Sequence, residues 1–204
     1  MSFSSEVKEE LLAHTSGGRH CQIAELTALL LLSGVRLEPV IRIQTENFRV
    51  AKKISTLIYR LFHADPEIRV RTYHGTRAAS VYELAAGTSE LDEQIRKACK
   101  LKDRSRVNQL IIQKDCCKRA FLRGAFLVNS PEKAYHFEIS CNYPELAEEI
   151  QELFRFFELE AKVVKRKKSY VVYLKEGTMI VDALNVIEAH RALMNMESVR
   201  VVKE

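Results

Sequence analysis

Residues 26–34 read LTALLLLSG, and residues 122–130 read LRGAFLVNS. The two stretches align when the sequence is shifted by 96 positions against itself, and Ala28 then falls on Gly124. A repeat that keeps its apolar positions in register over a long stretch indicates a duplicated structural unit. The alignment continues without a gap, and its further apolar pairs include Ile43 with Ile139, Ile54 with Ile150 and Leu57 with Leu153.

Each copy has the same predicted order of elements, α-β-α-β-β-α. An apolar helix is followed by a strand of alternating residues, an amphipathic helix with apolar residues three and four apart, and a hairpin of two strands. A Gly-Thr step then precedes the last helix, where a side-chain oxygen caps the free N–H groups. The predicted first helices are residues 21–33 and 114–129, the first strands are residues 40–44 and 135–140, and the last helices are residues 91–98 and 181–194.

This pattern predicts an α+β fold with two antiparallel sheets related by a pseudo-twofold axis. Alternating strands bury one face, so we expect helices on one side of each sheet and a polar face on the other. The predicted division is a first repeat at residues 1–95, a basic linker and helix lead-in at 96–112, and a second repeat at 113–204. The linker region holds the basic run RKACKLKDRSR.

Gly124 lies inside an apolar helix, where glycine costs about 1 kcal/mol relative to alanine. The two aligned helices are strongly apolar, which predicts that they are buried against each other along the pseudo-twofold axis. Small residues at the contact allow close approach of the two backbones. We therefore expect Ala28 and Gly124 at the interface between the helices.

Composition sets the class of protein. The chain has 204 residues, a net charge of +5 and an isoelectric point near 8.9, which permits a polyanionic partner. The longest aliphatic run, residues 28–32, falls far short of the ~20 residues that cross a bilayer. We expect a cytoplasmic protein with no membrane contact.

The cysteines and histidines predict no metal site or other cofactor. The five cysteines are odd in number, form no C-x-x-C pair and are expected to be reduced thiols, with a redox switch at the adjacent Cys116 and Cys117 as the alternative. The six histidines show no ligand spacing with cysteine or acid.

The two nine-residue stretches resemble the motif of the LAGLIDADG homing endonucleases, and the duplicated order of elements is similar to that fold. In those nucleases the eighth motif position is a carboxylate that binds divalent metal at the scissile phosphate. Here the position holds Ser33 and Asn129, which supply no charge for Mg²⁺. The resemblance therefore implies a fold without the nuclease chemistry, and Glu38 and Glu132 are the alternative ligands.

A second resemblance covers nearly the whole chain. The segments MSFSSEVKEEL, CCKRAFLRGAFL, YVVYLKEG and VRVVKE are similar to the amino-terminal part of the bacterial WhiA family. The resemblance implies a DNA-binding transcription regulator connected with sporulation, cell division and chromosome segregation. It also implies a carboxy-terminal helix-turn-helix domain beyond Glu204, which would make the main contact with double-stranded DNA.

The polar sides of the alternating strands are the candidate DNA contacts, because arginine can hold a phosphate through two hydrogen bonds. The basic run at residues 96–106 is a further candidate. The predicted DNA-binding residues are Arg42, Gln44, Arg69, Arg71 and Arg77 in the first copy and Lys165 and Lys167 in the second.

These observations favour a non-catalytic domain that is associated with the nucleoid and binds DNA or a regulatory protein. An active metal-dependent endonuclease and a protein scaffold without DNA contact are the alternatives. Because the duplication already supplies both halves of a pseudo-dimer, we expect a monomer.

Overall fold

The computed structural model describes residues 3–74, 79–129 and 136–203, and within them eight helices and six strands. The predicted order α-β-α-β-β-α is confirmed in both copies, as α2-β1-α3-β2-β3-α4 and α5-β4-α6-β5-β6-α7. Helices α1 and α8 flank the duplicated unit. The bounds are α1 Phe3–Ala13, α2 Arg19–Leu32, β1 Arg42–Thr45, α3 Phe48–Phe62, β2 Glu67–Tyr73, β3 Ala79–Ala85, α4 Ser89–Cys99, α5 Asp115–Asn129, β4 Phe137–Cys141, α6 Pro144–Phe156, β5 Lys162–Arg166, β6 Ser169–Leu174, α7 Gly177–Val186 and α8 His190–Lys203.

The two sheets have the same topology. Both are antiparallel, with strand orders β1-β3-β2 and β4-β6-β5. Each turns one face towards the helices, where Ile43 lies opposite Leu84 in the first sheet. In the second sheet the ring of Phe137 lies 4.7 Å from that of Phe126 in α5, centroid to centroid. The opposite face of each sheet, called here the open face, carries the charged residues Glu83 and Glu138 among others.

Helices α2 and α5 join the two halves of the molecule. Helix α5 begins 96 residues after α2, as the sequence repeat requires. A Cβ atom added to Gly124 would lie 2.6 Å from the backbone oxygen of Glu25 and 3.0 Å from the Cβ of Ala28. Such distances leave no room for a methyl group. The glycine therefore permits the close contact between the two helices.

Helix caps explain where several elements begin. The side chain of Asn47 accepts hydrogen bonds from the N–H groups of Arg49 and Val50 at the start of α3. Thr88 caps α4 in the predicted way, through the N–H of Leu91 at 3.2 Å. The same prediction is wrong in the second copy, because α7 already includes Gly177 and its cap residue makes no side-chain cap hydrogen bond.

The predicted single helix over residues 181–194 is wrong, since the chain turns between α7 and α8. Glu188 takes the left-handed conformation with φ 65°. The N–H groups of Glu188 and Ala189 donate to the carbonyl oxygens of Asn185 and Leu184, at 3.1 and 2.8 Å, which is a Schellman motif. Ile187, Ala189 and Ala192 are buried, so the apolar pattern continues across the turn. Periodicity in the sequence therefore does not reveal the break between the two helices.

Helix α4 extends to Cys99, so residues 96–99 of the predicted linker are helical. Arg96 donates to the Asp92 carboxylate at 2.5 Å, and Lys100 ends the helix with φ 49°. Across residues 3–74, 79–129 and 136–203, no helix is long and apolar enough to cross a membrane.

Candidate nucleic-acid interface

The open face of the first sheet brings four of the predicted residues together around one carboxylate. In an antiparallel pair, residues opposite each other project on the same side of the sheet. Gln44 of β1 and Arg69 of β2 both lie opposite Glu83 of β3. Arg42 and Arg71 lie two positions away on the same face. The predicted Arg77 lies outside the described residues.

Glu83 contacts three of these side chains, and Arg69 pairs with Glu67 at 3.4 Å. Gln44 Nε2 donates to Glu83 Oε2 at 2.9 Å, and guanidinium nitrogens of Arg42 and Arg71 lie 3.6 and 3.7 Å from its carboxylate oxygens. The hydrogen bond from Gln44, followed by the charges of Arg71 and Arg42, keeps the pKa of the Glu83 carboxyl below its usual value, against the effect of burial. The carboxylate therefore stays ionised and offsets part of the positive charge of this face.

The second sheet differs from the prediction. Lys165 lies opposite Tyr170, which in turn lies opposite Cys141, so its side chain is on the helix-covered side of the sheet. The placement of Lys165 on the open face is therefore wrong. Its ammonium group lies 5.8 Å from the centroid of the Tyr170 ring. Lys167 lies in the hairpin turn with φ 55° and belongs to neither face.

Arg166 and Lys162 occupy the open face of the second sheet instead. Arg166 donates two hydrogen bonds to the buried Glu138 carboxylate, at 3.0 and 3.3 Å. The sequence does not determine which face of β5 is buried, because either of the adjacent valines, Val163 or Val164, can face the core. The two-residue turn after Arg166 fixes the register.

A pocket of about 480 Å³ opens where α2 ends, at the first of the two positions that hold a carboxylate in the nucleases. The buried Ser33 Oγ and Arg42 Nε, two donors on its wall, have no hydrogen-bond partner among the described residues. Gly34, with φ 72°, turns the chain out of α2. We call this the arginine pocket, and its lining residues are Ser33, Gly34, Arg36, Arg42, Gln44, Glu83 and Arg104.

The wall of the arginine pocket is built from three separate parts of the chain. Arg36 and Arg42 are held together by two backbone hydrogen bonds of 2.8 and 2.9 Å. Asp92 of α4 accepts the N–H of Ile41 at 2.6 Å and holds the chain directly before β1. Arg104 comes from the basic run at residues 96–106, so part of that run reaches the candidate site.

The arginine pocket suits an anion better than a cation. It brings three guanidinium groups together with a single carboxylate, and that carboxylate already contacts Gln44, Arg42 and Arg71. Mg²⁺ and Mn²⁺ need charged oxygen ligands, and Ser33 supplies a neutral hydroxyl group. Arginine side chains and unpaired donors are the groups that bind a phosphate.

Of the remaining predicted metal positions, the described residues include only the side chain of Glu38, which lies away from the arginine pocket. Glu38 is 84% exposed at its side chain, lies 3.5 Å from Arg96 and does not line the arginine pocket. Asn129 is the last residue of α5, and its side chain is outside the described part of the structure. Glu132 is likewise outside the described residues.

Comparisons with known proteins find relatives from one family along the whole chain. The family model described as the WhiA N-terminal LAGLIDADG-like domain matches residues 19–101, and the model of the WhiA LAGLIDADG-like domain matches residues 118–204. The "Probable cell division protein WhiA" of Lachnoclostridium phytofermentans is 40% identical over 220 residues, which cover 100% of this chain and 70% of that protein.

Solved structures share the fold. Full-length DUF199/WhiA from Thermatoga maritima has a TM-score of 0.77 at 18% identity, covering 100% of this chain and 68% of that one. The homing endonuclease I-DmoI has a TM-score of 0.60 at 12% identity, covering 84% of this chain and 98% of that one. The fold is thus LAGLIDADG-like, and the matches of sequence across both halves show that the chain belongs to the WhiA family.

Proposed function

We propose that this chain binds double-stranded DNA without cutting it, as part of a transcription regulator that acts in cell division, chromosome segregation and sporulation. The arginine pocket carries the proposal, because it presents guanidinium groups and unpaired donors where a nuclease presents metal-binding carboxylates. Two likenesses support it. The relative of 40% identity is named a cell division protein, and I-DmoI, which shares the fold, has a structure in complex with DNA and Mn.

The proposed contact is with the phosphate backbone. Arg69 and Arg71 project from the open face of the first sheet and are more than half exposed, so they can reach a duplex laid along that face. Arg36 and Arg104 would hold one phosphate at the edge of the face, in the arginine pocket. Each phosphate that is neutralised releases counterions, so binding should weaken steeply with salt.

A fluorescence anisotropy titration with a duplex at several salt concentrations tests DNA contact. We expect binding at low salt, and a slope of log affinity against log salt that becomes shallower by about 1–2 in Arg69→Ala/Arg71→Ala. Arg155→Ala is the control, since Arg155 is equally exposed but lies on α6. Failure of the wild-type chain to bind at low salt would contradict the proposal.

A cleavage assay tests whether catalysis is absent. The chain is incubated with supercoiled plasmid and Mg²⁺ or Mn²⁺, and we expect no specific double-strand cut because the pocket repels divalent cations. A specific cut that disappears in Glu38→Gln or Glu132→Gln would overturn the assignment and identify an active endonuclease.

Protein binding is the second candidate function. Ile68 and Val70 project from the helix-facing side of the edge strand β2 but remain 48% and 56% exposed. Phe48, 58% exposed, extends this apolar surface through its contact with Tyr82, which lies opposite Val70. A chain that shows no DNA binding at low salt but binds a regulatory protein, and loses it in Val70→Glu, would favour this function.

The proposal includes a monomer located at the nucleoid in the cytoplasm. The paired helices α2 and α5 already bring together the two repeats within one chain, so a second chain is not needed to build the fold. Sedimentation equilibrium checks this, and a dimer at micromolar concentration would contradict it.

A further inference from the structure

Four side chains that can bind metal meet at the amino-terminal ends of α2 and α5. They are His20 and Cys21 from the first turn of α2, and Cys116 and Cys117 from the first turn of α5. Their ligand atoms all lie within 4.8 Å of one another. His20 Nδ1 is 3.2 Å from the sulfur of Cys21, 3.2 Å from that of Cys117 and 3.8 Å from that of Cys116. We call these residues the Cys/His cluster.

The repeat explains why the cluster forms. The shift of 96 residues that relates α2 to α5 also relates His20 to Cys116 and Cys21 to Cys117. Both copies thus place a pair of ligands at the same helix position, and the packing of the two helices brings the pairs together. The equivalent residues have equal burial, with His20 and Cys116 exposed and Cys21 and Cys117 buried.

The ligand atoms lie near the separations of a tetrahedral metal site, all within 4.8 Å of one another. With zinc–sulfur bonds of about 2.3 Å and zinc–nitrogen bonds of about 2.0–2.1 Å, the ligand atoms of such a site lie about 3.5–3.8 Å apart. The distances from His20 Nδ1 to the three sulfur atoms bracket this range. Three thiolates with one imidazole are a common ligand set of structural zinc sites, and soft thiolates select zinc over Mg²⁺.

The surroundings also suit a bound metal thiolate. All four residues lie at helix amino termini, where the helix dipole favours negative charge. Gly18 lies against the His20 ring, and a Cβ atom there would lie 3.1 Å from His20 Nε2. The glycine leaves room for the ring in the orientation that turns Nδ1 to the sulfur atoms.

We propose that the Cys/His cluster binds one Zn²⁺ ion, which ties the first repeat to the second at the start of their paired helices. This site is separate from the arginine pocket, which lies at the opposite end of α2. It does not depend on whether the protein binds DNA. Its role would be structural, since the four ligands close the coordination sphere and leave no position for a substrate.

Metal analysis of the purified 204-residue chain tests the proposal. We expect one zinc ion per chain by inductively coupled plasma mass spectrometry. Replacement by Co²⁺ should give the intense ligand-field bands of a tetrahedral site together with thiolate-to-cobalt charge-transfer absorption. Zinc should also raise the midpoint of thermal unfolding, because it binds the folded state.

The variants Cys116→Ser and His20→Ala identify the ligands, and both residues are exposed, so the fold should tolerate them. Each should weaken zinc binding by at least about tenfold. Loss of a residue that only hydrogen-bonds to a metal ligand already has an effect of this size, and these variants remove the ligand itself. Cys99→Ala is the control, because it removes a thiol outside the Cys/His cluster and should bind zinc like the wild type.

Three results would overturn the proposal. The first is a wild-type chain that takes up neither zinc nor cobalt in stoichiometric amount. The second is unchanged affinity in both ligand variants. The third is a disulfide between Cys21 and Cys117 in the chain as purified, which would make the cluster a redox site.

Discussion

At the residue scale, Arg123 connects three parts of the protein although it is only 1% exposed. Its guanidinium group donates to Ser16 Oγ at 2.6 Å, lies 3.5 Å from the Glu25 carboxylate and binds the Glu188 carboxylate. Glu25 is fully buried and lies 3.2 Å from the ammonium group of Lys53. The network explains why a charged residue precedes Gly124 inside a buried helix.

Replacement of Arg123 should destabilise the fold strongly. In Arg123→Met, Glu25 loses one of its two cationic partners while it remains buried, and removal of one partner from a buried pair costs about 3–5 kcal/mol. The free energy of unfolding in urea measures the loss. The control is Arg155→Met, whose exposed pair with Glu152 should cost no more than about 1 kcal/mol. Equal losses in the two variants would contradict the role of the network.

Glu188 should make stability depend on pH in the acid range. The hydrogen bond from His14, followed by the charge of Arg123, lowers the pKa of the Glu188 carboxyl from 4.5 to about 2. A group with a lowered folded-state pKa contributes stability above its unfolded value, and the contribution is lost as pH falls from about 4.5 towards 2.

Unfolding measured between these pH values checks the prediction. The wild type should lose stability more steeply than Glu188→Gln, which should be less stable at neutral pH and flatter in acid. Parallel curves for the two proteins would show that Glu188 does not contribute.

At the scale of elements, the contact between α2 and α5 holds the two repeats together. The backbone of α2 approaches Gly124 so closely that a Cβ atom there would overlap the Glu25 carbonyl oxygen. Glycine's conformational cost of about 1 kcal/mol is therefore offset by the packing that it permits.

Alanine at this position should thus destabilise the protein, although it is the better helix former. We expect Gly124→Ala to lower the free energy of unfolding by about 1–3 kcal/mol, the usual cost of overpacking. Gly17→Ala serves as the comparison, because an added Cβ there meets nothing within 4 Å and should change little. A more stable Gly124→Ala protein would show that the helices can move apart without cost.

The sequence predicted the order of helices and strands well, because the repeat shows each element of the unit twice. Periodicity together with the shift of 96 residues was enough for the order α-β-α-β-β-α and for two antiparallel sheets. It was insufficient for the turn at Glu188, because buried residues continue on both sides of it, and for Lys165, because adjacent valines leave the strand register open.

Ligand spacing within one segment does not reveal the Cys/His cluster. Its four residues form two adjacent pairs 96 positions apart, and only the packing of α2 on α5 brings them together. The signal was nevertheless in the repeat alignment, which places His20 and Cys21 on Cys116 and Cys117. The sequence indicated part of the arginine pocket, through Ser33, Arg42, Gln44 and the basic run that holds Arg104, but not Arg36, which lies in an irregular segment.

At the scale of the whole molecule, the paired helices have two different ends. The amino-terminal end carries the Cys/His cluster, and the carboxy-terminal end of α2 opens into the arginine pocket. The two open faces also differ in how their arginines contact the central glutamate. The guanidinium groups of Arg42 and Arg71 lie 3.6 and 3.7 Å from the Glu83 carboxylate, whereas Arg166 donates two hydrogen bonds to the Glu138 carboxylate. The first repeat is therefore the better candidate for contact with DNA.

The most direct test of DNA contact at the arginine pocket is the salt dependence of DNA affinity in Arg36→Gln/Arg104→Gln. Both residues are exposed, so the substitutions should leave the fold intact. If they hold one phosphate in the arginine pocket, the variant should bind more weakly at every salt concentration, with a slope shallower by about 1. Affinity and slope equal to those of the wild type would contradict the account.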